Sequence, residues 1–104
     1  MNTITPQELQ SDYDWRNAFE TAGDDVDNVV EVIAADAGYN DGDNWIAVVR
    51  LNTGSYAVMR AGCDYTGWDC CAGGTMEYYS TVEDAISVLT LTQEERNRLG
   101  ITGY

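Results

Sequence analysis

The chain has no histidine and no lysine, a single proline, and five arginines to set against eighteen aspartates and glutamates. Each shortage excludes something. Without histidine, a cysteine nucleophile lacks its usual base. A zinc site would have to combine Cys63, Cys70, Cys71 and a carboxylate at a spacing unlike the usual Cys-x2-4-Cys. Neither thiol catalysis nor a metal site is expected, and no cofactor is implied. With no lysine and a net charge of −13, the surface repels nucleic acid and anionic lipid and attracts basic groups. No run approaches the roughly 18 apolar residues of a membrane span. The N-terminus Met1-Asn2-Thr3-Ile4-Thr5 lacks the basic and apolar regions of a signal peptide. The expected location is therefore the cytoplasm, where thiols stay reduced and three cysteines need not pair. A Cys63 to Cys70 bridge is the alternative. No internal repeat, linker or low-complexity stretch interrupts the 104 residues, so residues 1 to 104 are expected to form a single compact domain.

What is present argues for a folded chain. The apolar fraction of 44% includes eleven aromatics, among them three tryptophans and seven tyrosines, which outweighs the disorder that so high a charge would otherwise suggest. Thr5-Pro6-Gln7-Glu8 has an N-cap threonine, a proline at the first helical position and a glutamate that can close a capping box, so a short helix begins there. Ser11-Asp12-Tyr13-Asp14 is a second start, followed by Trp15, Ala18, Phe19 and Ala22 on one stripe and ended by Gly23. Residues 29 to 35 are rich in β-branched side chains and favour a strand, although periodicity alone does not separate that reading from a short buried helix.

Trp45 to Leu51 and Ser55 to Ala61 flank Asn52-Thr53-Gly54, a loop whose glycine suits the left-handed position of a bulged hairpin. Both hairpin faces are apolar, which places it centrally in a sheet. Thr75 to Ser80 extends the sheet by a fourth strand. Thr81 then opens a helix expected to align Val82, Ala85, Ile86 and Leu89, and Thr92-Gln93-Glu94-Glu95 caps a last helix ended by Gly100. The expected fold is α+β: an antiparallel meander of three to four strands with the N- and C-terminal helices packed on one face.

Residues 62 to 74 fit no regular period. They hold all three cysteines, four glycines, Tyr65, Trp68, Asp64 and Asp69, the makings of an ordered loop. Asp64 and Asp69 can be read as an acid and base pair beside a Trp68 sugar platform. The favoured reading is that they cap turns while the aromatics pack over the hairpin, with Trp68 packed and Tyr65 exposed. The acidic clusters do not match a calcium loop: with Gly42 as its glycine, the first and third ligand positions fall on Ala37 and Tyr39.

The string Cys63-Asp64-Tyr65-Thr66-Gly67-Trp68-Asp69-Cys70, preceded by residues 38 to 45 and the Leu51 to Ala57 hairpin, resembles a group of small uncharacterised proteins of bacteria and their phages over roughly residues 29 to 99. The resemblance implies a shared small fold and a phage or prophage origin, hence a host cytoplasm; it carries no activity. Cys71 departs from that pattern, where a polar residue is commoner, and is therefore not expected to be essential.

The remaining signal is the acid. Residues 1 to 49 hold eleven carboxylates and one arginine. Carboxylates at i and i+2 of an extended chain stand about 6.7 Å apart on one side, as Asp12 with Asp14, Asp25 with Asp27 and Asp41 with Asp43 would if extended, and duplex DNA presents about one charge per 1.7 Å. The leading expectation is a non-enzymatic acidic protein that docks on a basic, nucleic-acid-binding surface of a defence or nuclease protein as an inhibitor or nucleic-acid mimic. Candidate contacts are Asp12, Asp14, Asp24, Asp25, Asp27, Asp41, Asp43, Tyr65 and Trp68. A general interaction module using the Tyr65 to Cys70 loop is the second reading, a small carboxylate-dependent enzyme the third, and a merely solvated surface accounts for the same charge.

Overall fold

A computed structural model of the chain describes residues 4–38, 44–63, 67–68 and 72–101. Helices α1 (Pro6–Ser11) and α2 (Tyr13–Ala22) are followed by a 3-10 turn (Val26–Asn28) and strands β1 (Val29–Asp36), β2 (Trp45–Leu51), β3 (Tyr56–Gly62) and β4 (Gly73–Tyr79). Helices α3 (Val82–Ala85) and α4 (Gln93–Leu99) come last. The strands form one antiparallel sheet in the order β1-β2-β3-β4, a meander. The α+β architecture is as the sequence indicates.

Local signals set the boundaries. Thr5 and Glu8 close a capping box around Pro6, and Thr92 and Glu95 close another at α4. Each box satisfies two backbone donors that a helix start leaves without partners. Gly23 ends α2 in the left-handed conformation at φ 108°, and the chain there folds back with Asp24 N donating to the Phe19 carbonyl. In the β2–β3 hairpin Gly54 takes φ 91°, and Leu51 N donates to the Ser55 carbonyl at 2.8 Å.

Strand β1 forms where the sequence favours a strand, and its register shows why periodicity alone did not exclude a helix. Two bulges interrupt its pairing with β2, between Val29 and Glu31 and between Val32 and Ala34. They stretch the period, so that Val29, Val32 and Ala35 all oppose β2 residues of one face: Leu51, Val49 and Ala47. A spacing of three on a β-branched strand is what made the pattern ambiguous.

The helices do not share a face. Trp45, Ala47, Val49 and Leu51 of β2 with Ala57, Met59 and Ala61 of β3 pack under Leu9, Trp15, Ala18 and Phe19 of α1 and α2. The alternate residues Ile46, Val48 and Val58 pack under Ala85, Ile86, Leu91 and Leu99 of the C-terminal segment. Because neighbouring residues of a strand point to opposite faces, the sheet is covered on both sides, N-terminal helices on one and C-terminal helices on the other. This corrects the expectation that all helices lie on one face; a central hairpin apolar on both faces needs two covers. Leu9 and Phe19 are fully buried, each contributing about 1.5–3 kcal/mol by transfer from water.

Leu89 is also placed differently from the sequence reading. Helix α3 ends at Ala85, and Leu89 is 95% exposed while Leu91 is 2% exposed and fills the core. The carbonyls that a longer helix would use internally are taken by side chains: Ile86 O by the Arg96 guanidinium, Thr90 O by Arg60 Nη2 at 2.7 Å, and Asp84 O by Thr90 Oγ1 at 2.8 Å.

Candidate functional site

Seven of the eleven carboxylates of residues 1 to 49 are carried by α1, α2 and the turn after them. Over residues 4 to 28 these are Glu8, Asp12, Asp14, Glu20, Asp24, Asp25 and Asp27 against Arg16 alone. These elements sit over the sheet through Leu9, Trp15, Ala18 and Phe19, so the amphipathic burial that anchors them also turns their polar side outward. Asp12, Asp25, Asp27, Glu8 and Glu20 are exposed, and Asp14 and Asp24 are half-buried.

Each aspartate also has a local role. Asp12 caps α2 by accepting from Trp15 N at 3.0 Å. Asp14 accepts from the indole Nε1 of Trp68 at 2.9 Å. Asp25 caps the 3-10 turn through Asp27 N at 2.9 Å, and Asp27 pairs with Arg16 at 3.0 Å. All of these bonds use Oδ1. Asp24 uses both oxygens, accepting from Asp25 N at 2.7 Å, Asn28 Nδ2 at 3.1 Å and the Tyr78 hydroxyl at 2.8 Å. Burial pushes its carboxyl upward, but these donors together hold it below the ordinary value. The same bond to Asp24 raises Tyr78, helped by burial.

The extended i, i+2 pairs are not formed by Asp12 with Asp14 or by Asp25 with Asp27. The first pair straddles a helix start and the second a 3-10 turn, because short side chains that cap orphan N–H groups favour such turns over extended backbone. Asp41, Asp43 and Tyr65 lie outside the described residues, as do Asp64, Asp69, Cys70 and Cys71, so the Cys63 to Cys70 bridge and the Asp64 and Asp69 pair fall outside as well. Cys63 is buried in the core beneath α2.

Trp68 is 9% exposed and belongs to the same cluster. Its ring lies 5.2 Å from that of Trp45, tilted by 59°, a separation suited to an edge-to-face aromatic pair. With Nε1 bound to Asp14, it ties the β3–β4 connection to the first turn of α2. Trp68 is thus a packed anchor, as the loop reading expected, and this corrects its place among the candidate partner contacts, since a ring buried in the core has little surface to offer.

The sequence did not reveal the arginine network on the opposite face. Arg60 grips Glu95 with two nitrogens, Nε at 2.7 Å and Nη2 at 3.1 Å, and reaches Glu77 at 2.6 Å. The bonds to Glu95, against the cost of burial, hold the Arg60 guanidinium in its charged form more firmly than usual, and the same contact holds Glu95 below the usual carboxylate range. Arg98 bonds Asp36 at 2.7 Å and the Asn44 carbonyl at 2.8 Å. A polar groove of about 320 Å³ runs between them, lined by Asn44, Ile46, Arg60, Thr92, Glu94, Glu95 and Arg98. Both its cations are already paired, so it presents no unbalanced positive charge to an anion. Among the described residues, no three of Cys, Asp and Glu gather to hold a metal ion. No protein-family model, curated protein or solved structure matches the chain.

Proposed function

We propose that the protein is a non-enzymatic acidic docking protein that occupies a basic, nucleic-acid-binding surface of another protein. One observation carries the reading: every arginine is engaged within its own fold while Glu8, Asp12, Glu20, Asp25 and Asp27 are exposed. Arg16 donates to the Gln10 carbonyl and Asp27, Arg50 to Glu31, Arg60 to Glu77, Glu95 and Thr90, Arg96 to Ile86, and Arg98 to Asp36 and Asn44. The field outside the molecule is therefore set by the excess carboxylates, and such a field steers association with basic surfaces.

Scale is consistent with competition against a duplex. The longest extent of the molecule is 36 Å, close to the roughly 34–36 Å of one DNA turn, along which a duplex carries about 21 phosphates. A net charge of −13 is a comparable fraction of that density. A phage or prophage setting, with a host defence or nuclease protein as the target, is part of this proposal and rests on the resemblance read from the Cys63 to Cys70 string alone.

The test is capture of the partner from host extract, followed by titration with the purified pair. Binding is expected to weaken at least about tenfold between about 50 and 200 mM salt, and duplex DNA or RNA should compete for the same surface. A partner whose affinity ignores salt and nucleic acid alike would overturn the reading.

A further inference from the structure

The sheet has two edges, and the fold treats them differently. Strand β1 is broken by two bulges, packed by α1 and α4, and bonded by the Gln10 amide at the Val29 carbonyl, 3.2 Å away. Bulges and cover are the ordinary ways of closing a sheet edge. Strand β4 is packed by α2 and α3 as β1 is by α1 and α4, but it carries no bulge. Its register with β3 runs from Tyr56↔Tyr79 to Gly62↔Gly73 without a shift. Among the described residues, no backbone group beyond β3 bonds to it.

Alternate N–H and C=O groups of β4 therefore point away from the sheet. Gly73, Gly74, Thr75, Glu77 and Tyr78 are exposed. The strand contains no lysine and no proline, the residues that commonly guard an edge. Its one charge, Glu77, is drawn back across the sheet to Arg60 at 2.6 Å. Tyr78, 53% exposed, is held over the other face by Asp24. Glu77 and Tyr78 thus lie over their own sheet, and among the described residues no other strand pairs with the outer edge of β4.

We propose that the β4 edge takes an extended basic segment of the partner protein as a fifth strand. This rests on the acidic docking reading above and adds its mode. Backbone hydrogen bonds supply register and affinity in such strand addition, and alternate side chains of the added strand fall on opposite faces. One set reaches towards Asp24 and Asp25 and the other towards Glu77 and the exposed Glu83 and Asp84 of α3, which packs on β4. That charge selects the occupant. A second copy of the chain would bring −13 against −13, whereas a lysine- or arginine-bearing strand finds acid on both sides.

The probe is a fluorescent octapeptide of alternating lysine and valine, compared with the same peptide N-methylated at every amide, which keeps the charge and loses the donors. The unmethylated peptide should bind the intact protein at least about tenfold more tightly, in a salt-dependent manner, and should slow amide exchange at alternate positions of residues 73 to 79. Equal binding of the two peptides would overturn the edge while leaving acidic docking standing. Failure of the unmethylated peptide to bind or to protect β4 would also overturn it, as would protection that rises with protein concentration alone, which would assign the edge to a second copy. Protection of β4 by a peptide whose binding ignores salt would overturn the basic occupant and the docking reading together.

Discussion

Trp68 joins three parts of the molecule that are far apart in sequence: the connection between β3 and β4, Trp45 at the start of β2, and Asp14 in the first turn of α2. Trp68→Ala removes a buried ring and should cost about 3–5 kcal/mol, a large share of the stability of a small domain, measured by denaturant or thermal unfolding. Trp68→Phe keeps most of the packing and loses the indole donor, and should cost less. That Trp68 is packed was legible from its place in a turn-rich loop beside a hairpin. That its partner is Asp14 was not, since a hydrogen bond across 54 residues leaves no local pattern. Glu95 repeats the lesson. Its capping role could be read from Thr92-Gln93-Glu94-Glu95, but its grip on Arg60 could not. Because the folded carboxyl is held below its ordinary 4.5, the contribution of this contact is fully present above about pH 4.5. It is lost as pH falls through the lower folded value. Unfolding titrations should show stability declining on acidification below about pH 4.5, and Glu95→Gln should lower stability at neutral pH and flatten part of that decline.

Among the elements, α3 and β1 depart most from a regular repeat, and in each case a tertiary contact sets the outcome. The stripe Val82, Ala85, Ile86 and Leu89 is a sound helical pattern, yet the chain leaves the helix after Ala85. Arg96 and Arg60 from other elements offer the carbonyls of Ile86 and Thr90 strong charged donors. Leaving the helix there lets Leu91 reach the core in place of Leu89. Leu91→Ala should therefore cost about 2–5 kcal/mol, whereas Leu89→Ser should lie within about 0.5 kcal/mol of the parent. Equal losses in thermal melts of the two variants would mean that the longer helix forms in solution. In β1, two bulges keep Val29, Val32 and Ala35 beneath one set of helices, which places strand pairing ahead of strict alternation.

For the whole molecule, the dominant quantity is charge. With its arginines committed internally, the protein should bind neither DNA nor RNA at physiological salt, because neutralising phosphate requires cations that the surface does not offer. A gel shift at micromolar protein that survives such salt would contradict this. The sequence by itself determined the sign of the field, the helix caps at Thr5, Asp12, Thr81 and Thr92, the Gly23 and Gly54 turns, and the central hairpin. All of these rest on contacts within a few residues or on composition. Only the tertiary structure decided which cover goes on which face of the sheet, and that Asp14 meets Trp68 and Arg60 meets Glu95. It alone decided that Leu91 rather than Leu89 is buried and that β4 is the edge strand paired without a bulge. These are outcomes of packing between segments distant in the chain, where burial and charge pairing compete across the whole fold and local propensity has little say.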